Sequence, residues 1–192
     1  SGKGGTGKTT VASALIRLSG ARACADCDVD APNLHLVNRH YSSGETAPYW
    51  GLPLADIDPA LCTACGECEV NCRFGAIIPG APHRVDPYAC EGCGVCVLVC
   101  PTDAINMRPH EAGTMTLYAQ ENRLFSTAQL RTGAGTSGLL VSQVKKRMNE
   151  AMKEDIPLAI VDGSPGIGCP VIATLSGADV TLIVAEPSLS GI

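Results

Sequence analysis

The sequence is short of aromatic residues and of charge. Phe, Trp and Tyr together make up 4% of the 192 residues, so Val, Ile, Leu and Ala must supply most of any hydrophobic core. Charged residues account for 17% and hydrophobic residues for 45%. This balance is typical of a globular protein and excludes disordered and fibrous classes.

A long apolar run, a signal peptide and a basic stripe are also missing. The absence of an apolar run of about 20 residues predicts no membrane span, and the absence of a signal peptide favours a cytoplasmic protein. The net charge is −5 and the pI about 5.3. The densest basic run, Lys145 to Arg147, fits the solvated face of a helix, so nucleic acid is not an expected partner.

Cysteine, in contrast, is abundant, with 11 residues. A secreted disulfide scaffold would also be cysteine-rich, but such scaffolds are short and lack nucleotide-binding motifs. Eight of the cysteines form two runs of the same spacing: Cys62, Cys65, Cys68, Cys72 and Cys90, Cys93, Cys96, Cys100. Each cysteine of the first run lies 28 residues before its counterpart, as Gly66, Ala76 and Ile77 lie before Gly94, Ala104 and Ile105. The segment is therefore an internal duplication.

This duplicated segment closely resembles the two-cluster bacterial-type ferredoxins. The resemblance implies two [4Fe-4S] clusters, each held by three cysteines of one run and the last cysteine of the other. Cluster one would take Cys62, Cys65, Cys68 and Cys100, and cluster two Cys90, Cys93, Cys96 and Cys72. Arg73 departs from the family, which often has proline there. Zinc is the alternative metal, although zinc sites usually combine two cysteine pairs over a longer gap.

A glycine-rich motif at the start of the chain matches G-x-x-x-x-G-K-[ST] at every position. Its backbone N–H groups can surround a phosphate, Lys8 can reach the β- and γ-phosphates, and the Thr9 hydroxyl can bind Mg²⁺. A flexible turn before a helix is the alternative, but a helical pattern follows the motif as a phosphate loop requires. The predicted nucleotide-binding residues are Gly2, Lys3, Gly4, Gly5, Thr6, Gly7, Lys8, Thr9 and Thr10.

The same segment resembles the deviant phosphate loop of the MinD/ParA/Mrp and nitrogenase-iron-protein group. The resemblance implies that Lys3 crosses a dimer interface to the partner's nucleotide, so we expect an ATP-bound homodimer. The Asp26-Cys27-Asp28 segment resembles switch I of that family, in which Asp28 would orient the attacking water or the metal shell. The apolar run ending at Asp162 resembles switch II and would supply a carboxylate to Mg²⁺. The predicted catalytic residues are Lys3, Lys8, Asp28 and Asp162.

Three cysteines and four histidines remain outside these motifs. Cys24 and Cys27 are predicted to be buried core thiols. Cys169 has a spacing from Asp162 similar to that of a cluster-binding cysteine in the nitrogenase iron protein, with a core cysteine as the alternative. The histidines have no metal-ligand spacing and are interpreted as surface or core residues: His35, His40, His83 and His110.

Helical patterns at 9–18, 139–153 and 171–175 alternate with apolar strand patterns at 23–29, 156–161 and 180–185. Residues 114–120 and 123–128 predict a hairpin. This alternation predicts an α/β domain with a mostly parallel sheet, formed by residues 1–56 and 109–192, and the resemblance implies that it is a P-loop domain of the SIMIBI class. Residues 57–108 would form an inserted α+β ferredoxin domain. Because no strand precedes the phosphate loop, the natural protein is expected to extend beyond both ends.

Together these features predict a Mg²⁺-dependent ATPase that forms a dimeric switch carrying two [4Fe-4S] clusters. Nucleotide state would be coupled to electron transfer or to a metalloenzyme partner. One alternative is an iron–sulfur or metal assembly ATPase of the Mrp type, which holds a transferable cluster on a late C-x-x-C that is not seen before Ile192. The other is a positioning ATPase like MinD or ParA.

Overall fold

The computed structural model describes residues 5–37, 43–120, 122–153 and 156–186. In chain order the elements are α1 (Lys8–Ser19), β1 (Ala23–Asp26), α2 (Leu34–Val37), β2 (Glu45–Trp50), β3 (Leu54–Ile57), α3 (Glu67–Asn71), β4 (Ile77–Ile78), β5 (Arg84–Val85), α4 (Val95–Val99), β6 (Ile105–Arg108), β7 (Glu111–Gln120), β8 (Arg123–Leu130), α5 (Ser137–Ala151), β9 (Ala159–Asp162) and α6 (Cys169–Leu175). They form two compact units. The described parts of Ser1–Tyr49, Gly113–Thr132 and Thr136–Ile192 make the first, and Trp50–Ala112 with Gly133–Gly135 makes the second.

The first unit is built on a five-stranded mixed sheet with the order β2-β7-β8-β1-β9. Strand β1 pairs in parallel with both β8 and β9, so that Ala23 lies opposite Leu124 on one side and Ala159 on the other. Strands β7 and β8 pair antiparallel, which confirms the predicted hairpin. The expectation of a mostly parallel sheet therefore holds for β8, β1 and β9 but not for the sheet as a whole.

Strand β2 lies within residues 30–56, where the sequence has no clear periodicity and predicts a loop with a short helix. Pro48 weakens the strand pattern, because proline cannot donate to a hydrogen-bonded ladder. The structure places β2 at the edge of the sheet, where proline is tolerated. The strand is fixed by Tyr49, which is fully buried and whose hydroxyl donates to Thr136 Oγ1 at 2.9 Å.

Helices α1 and α5 form where the sequence predicted them. Helix α1 begins after Gly7 and ends before Gly20, both in the left-handed conformation that glycine adopts most readily. Helix α5 buries Leu140, Val144 and Met148, three residues at four-residue spacing, so one apolar stripe faces the core. The Ser126 hydroxyl of β8 donates to the Val144 carbonyl at 2.8 Å, which ties this helix to the sheet.

The predicted buried strand at 180–185 is wrong. The segment has no strand hydrogen bonding, and Val180 and Ile183 are 86% and 71% exposed. An apolar run becomes a strand only when a neighbouring strand satisfies its backbone groups. Within the described part of the chain, no strand pairs with this segment.

The second unit shows the duplication in three dimensions. Strand β3 pairs with β6, and β4 pairs with β5, so each two-stranded sheet joins one half of the duplication to the other. The Asp58 N–H donates to the Ala104 carbonyl at 2.8 Å, and 28 residues on, the Asp86 N–H donates to the Ala76 carbonyl at 2.7 Å. The two halves are therefore interleaved in a nearly two-fold arrangement.

No helix among the described residues combines the length and the apolar character that crossing a membrane requires.

Candidate functional site

Both cysteine runs adopt the same local structure. Gly66 and Gly94 stand in the left-handed conformation, with φ of 84° and 74°, directly before α3 and α4. At these positions a residue with a Cβ would be strained, so glycine lets the chain turn sharply into each helix. Each helix then carries the third cysteine of its run and ends before the fourth.

The structure brings the predicted ligands of cluster one together. A single cavity is lined by Cys62, Cys65 and Cys68 of the first run and by Cys100 of the second. Cys100 reaches this cavity because β6 pairs with β3, which draws the end of the second run towards the first. The crossing of the fourth cysteine is thus a consequence of strand pairing between the halves.

Three of the four predicted ligands of cluster two lie against one apolar cluster. Cys72, Cys90 and Cys96 pack against the buried cluster of the second unit that includes Ile77 and Ile105. Burial raises the pKa of the Cys96 thiol, and the nearby Cys90 and Cys93 add to this increase. The pKa of Cys68 is raised in the same way, by burial first and then by Cys62 and Cys65.

These residues fit [4Fe-4S] clusters. None of the eleven cysteines is in a disulfide, so all eight motif thiols are available as ligands. The Ala76 N–H donates to Cys72 Sγ at 3.4 Å and the Ala104 N–H to Cys100 Sγ at 3.3 Å, and such bonds stabilise thiolate ligands. Among the described residues, no three His, Cys, Asp or Glu side chains stand close enough to share one metal ion.

Cys100 differs from the other motif cysteines in its electrostatics. Burial raises the pKa of its thiol, but hydrogen bonds from the backbone N–H groups of Thr102 and Ala104 and from the Thr102 hydroxyl lower it by more than burial raises it. The pKa of Cys100 is therefore lower than that of an ordinary cysteine. The Thr102 hydroxyl lies 3.7 Å from Cys100 Sγ. Cys100 is therefore disposed to be a thiolate, the form that binds iron.

In the first unit, four predicted site residues converge beside the sheet. Burial raises the pKa of Asp162, while a hydrogen bond from the Thr9 hydroxyl and the positive charge of Lys8 oppose the increase. Burial likewise raises the pKa of Asp28. The negative charge of Asp162 adds to this increase, and the positive charge of Lys8 opposes it. Asp162 Oδ2 is buried and has no hydrogen-bond partner within the described part of the chain, which leaves it available to a cation.

The phosphate motif is described only from Gly5 onward. Gly5 and Gly7 have φ of 86°, and Lys8, Thr9 and Thr10 form the first turn of α1. Gly2, Lys3 and Gly4 lie outside the described residues, so the predicted contact of Lys3 with a partner stays a prediction.

Asp26 holds the loop after β1 in place. It is fully buried and accepts backbone N–H bonds from Asp28, Asn33 and Leu34 at 3.1, 2.9 and 2.9 Å. In the parallel register it lies opposite Asp162. Asp26 therefore positions the segment that carries Asp28.

The titration of Asp26 gives a testable pH dependence. Burial, assisted by Asp162, raises its pKa from 3.8 to about 6 although three backbone N–H bonds oppose the increase. A raised pKa means that the folded state favours the protonated carboxyl, so this stabilisation is complete below pH 3.8 and is lost as pH rises through 6. Relative to Asp26→Asn, the wild type should lose on the order of 1 kcal/mol of unfolding free energy between pH 5 and 7.5.

Urea unfolding followed by far-UV circular dichroism at several pH values would measure this difference. The exposed Asp179→Asn variant is the control and should parallel the wild type. An equal pH dependence for Asp26→Asn and the wild type would contradict the prediction.

The three remaining cysteines divide into buried and exposed. Cys24 and Cys27 are 2% and 0% exposed, which confirms that they are core thiols. Burial and the adjacent Asp26 raise the pKa of Cys27 to about 12, so this thiol is unreactive. Cys169 is exposed at the first residue of α6, so its interpretation as a core cysteine is wrong.

Sequence reasoning missed one residue of this unit. His83 lines the same cavity as the four cysteines of cluster one, although it lies 17 positions before Cys100 and has no ligand spacing. A comparison of the two halves of the duplication could have revealed it, because His83 stands where the first half has Ala55.

Comparison with known proteins defines the class. Two family profiles, each described as a 4Fe-4S binding domain, match residues 54–77 and 83–106. The chain is thus an iron–sulfur protein with two 4Fe-4S binding segments, which indicates a role in electron transfer or redox chemistry. It is also 34% identical over 198 residues to the uncharacterized protein MJ0578 of Methanocaldococcus jannaschii, with 100% of this chain and 67% of that protein covered. The chain belongs to the family of that protein.

Proposed function

We propose that this protein is a Mg²⁺-dependent ATPase, a cytoplasmic homodimeric switch that couples its nucleotide state to electron transfer through two [4Fe-4S] clusters. A metalloenzyme or another redox protein would be the partner. The observation that carries the ATPase part is the convergence of Thr9 and Lys8 on Asp162, because the three residues come from the two sequence motifs that phosphoryl transfer requires.

Each of these residues has a role that follows from its position. Lys8 stands in the first turn of α1, where the partial positive charge of the helix end also favours phosphate. The Thr9 hydroxyl and the unpartnered oxygen of Asp162 would hold Mg²⁺, which neutralises charge on the phosphates when bound. Asp28, held by the loop that Asp26 fixes, would orient the attacking water.

The electron-transfer part rests on the cysteines of the second unit. Two clusters that share ligand runs lie close together, and such modules relay electrons. A conformational switch that responds to the γ-phosphate of ATP would then control when the clusters contact a partner protein. This coupling is the step that needs a direct test.

The test is an electron paramagnetic resonance experiment on anaerobically purified protein reduced with dithionite. We expect two interacting [4Fe-4S] signals, and we expect them to shift when MgATP is added. Signals that are indifferent to MgATP would contradict the coupling and favour an assembly role. ATP hydrolysis measured on the same sample separates a failed coupling from a failed ATPase assignment.

A further inference from the structure

The second unit contains a cleft that none of the predicted sites uses. Its volume is about 560 Å³, which lies in the usual range for a small-molecule site. Strands β3 and β5 and the end of β6 contribute to its lining. Ile57 and His83 line both this cleft and the cavity of the cluster-one cysteines. The cleft therefore adjoins cluster one within the same unit.

The cations of this unit are concentrated at the cleft. Residues 50–112 contain no lysine and three arginines, of which Arg84 and Arg108 line the cleft and Arg73 does not. Of the acidic residues in this described stretch, Asp56 alone lines the cleft; the full set is Asp56, Asp58, Glu67, Glu69, Asp86, Glu91, Asp103 and Glu111. The cleft is thus a basic position on an otherwise acidic unit, and a basic position favours an anion.

Both arginines of the cleft retain hydrogen-bonding capacity. Arg108 Nε lies 2.6 Å from Asp56 Oδ2, so this carboxylate orients the guanidinium from one side. Among the described residues, Arg108 has no side-chain partner other than Asp56, and Arg84 has none. A guanidinium carries five N–H donors in one plane and can bind two oxygens of a carboxylate or phosphate at once.

The nearby carboxylates weaken the positive charge of the cleft but do not cancel it. Asp56 is paired with Arg108, so the charge of Arg84 stays uncompensated. Asp58 and Asp86 are neighbours of lining residues in the sequence, but each accepts a backbone N–H of its own loop, at 2.8 and 2.9 Å, and neither lines the cleft. A net positive charge therefore remains at the cleft.

The rest of the lining is largely apolar and rigid. Leu54, Ile57 and Val85 supply aliphatic surface, and the remaining apolar contribution comes from Pro59, Pro82, Pro87 and Pro109. Because proline has a fixed φ, these segments lose little conformational entropy when a ligand binds. A few charged donors set in an apolar wall suit a ligand that joins an anionic group to an apolar body.

We infer that this cleft binds a small organic oxyanion, with its carboxylate or phosphate held by Arg84 and Arg108 and its apolar body against the proline and aliphatic side chains. All of these residues belong to the second unit, so the inference stands whether or not the protein hydrolyses ATP. Reduction of cluster one adds a negative charge beside the cleft. The ligand should therefore bind more weakly to the reduced protein.

The first experiment is isothermal titration calorimetry of the fully loaded, oxidised protein without nucleotide, with benzoate and phenyl phosphate as probes. At least one should bind, and the tighter of the two identifies carboxylate or phosphate as the preferred anionic group. Benzamide, which lacks the charge, and inorganic phosphate, which lacks the apolar body, should bind about fivefold more weakly or less. The inference is overturned if neither probe binds at millimolar concentration, if benzamide equals benzoate, or if inorganic phosphate equals phenyl phosphate.

The second experiment compares arginine variants that make the same change of charge. Arg84→Gln and Arg108→Gln should each weaken binding of the tighter probe about fivefold, because each removes charged donors to the oxyanion. Arg73→Gln removes an exposed arginine of the same unit outside the cleft and should bind like the wild type. Arg84→Lys keeps the charge but not the planar donors, so it should give an intermediate affinity; it replaces Arg84→Gln if that variant loses iron. Wild-type affinity in both glutamine variants, or an equal loss in Arg73→Gln, would refute the site.

The third experiment tests the position of the cleft beside cluster one. The protein is reduced at an electrode with methyl viologen, a cationic mediator, because dithionite is itself an anion that could compete for the cleft. The dissociation constant of the tighter probe should be several times larger for the reduced protein than for the oxidised one. Equal dissociation constants for the two states would contradict the placement of the bound anion next to the cluster.

Discussion

ATP hydrolysis by the Lys8→Ala variant is expected to fall by on the order of 10²- to 10³-fold, the usual cost of removing one group that stabilises transition-state charge. Lys8 interacts electrostatically with both Asp28 and Asp162, so it lies where the phosphates and the metal would meet the acidic residues. Phosphate release at saturating MgATP, measured anaerobically, gives the rate. Clusters in the second unit should be unaffected, and far-UV circular dichroism reports whether the first unit, which contains Lys8, is folded.

The matched control for this prediction is Lys153→Ala, which removes an exposed lysine far along the chain from the motif. Its rate should equal that of the wild type. Asp162→Asn should resemble Lys8→Ala and should in addition need more Mg²⁺, because it weakens a metal ligand. If Lys8→Ala retains hydrolysis within about twofold of the wild type, the phosphate site proposed here is wrong.

Replacing Cys100 by alanine should remove half of the iron, and the cluster lost should be the one bound mainly by the other run. The cavity that gathers Cys62, Cys65 and Cys68 also includes Cys100, whereas Cys100 follows Cys96 in the chain. A cluster of this type needs four thiolates, so losing one ligand removes or strongly destabilises it. Iron analysis and electron paramagnetic resonance of the reduced protein measure the result.

Pairs of variants make this prediction specific. Cys100→Ala and Cys62→Ala should give the same remaining spectrum, and Cys72→Ala and Cys90→Ala should give the other one. The magnetic interaction between the clusters should disappear in all four variants. A Cys100→Ala spectrum that matches Cys90→Ala would instead show that each run holds its own cluster.

The local sequence was sufficient to place the cysteine motifs, whereas the short helices α3 and α4 within them were not predicted. Spacing and the 28-residue repeat identified the ligand types, because three thiolates on a short loop and helix can only reach one cluster. Periodicity predicted α5 and the β7–β8 hairpin for a similar reason, since each carries its own apolar pattern within one continuous segment.

Features that depend on distant pairing could not be predicted in the same way. Strand β2 exists because a sheet edge accepts Pro48, and the apolar run 180–185 forms no strand although its composition suits one. Both outcomes depend on whether the backbone N–H and C=O groups of the segment pair with a neighbouring strand, which no local sequence pattern indicates.

The sequence by itself determined which chemical groups are available: eight cysteines in two runs, a glycine-rich motif with the pattern of a phosphate loop, and aspartates at 28 and 162. The tertiary structure alone decided which of these groups meet. It brings Thr9 to Asp162, turns Asp26 into a support for the loop, and places His83 beside the cysteines of cluster one. The reason is physical: residue types fix what a side chain can bind, but strand pairing and burial fix its neighbours and therefore its charge state.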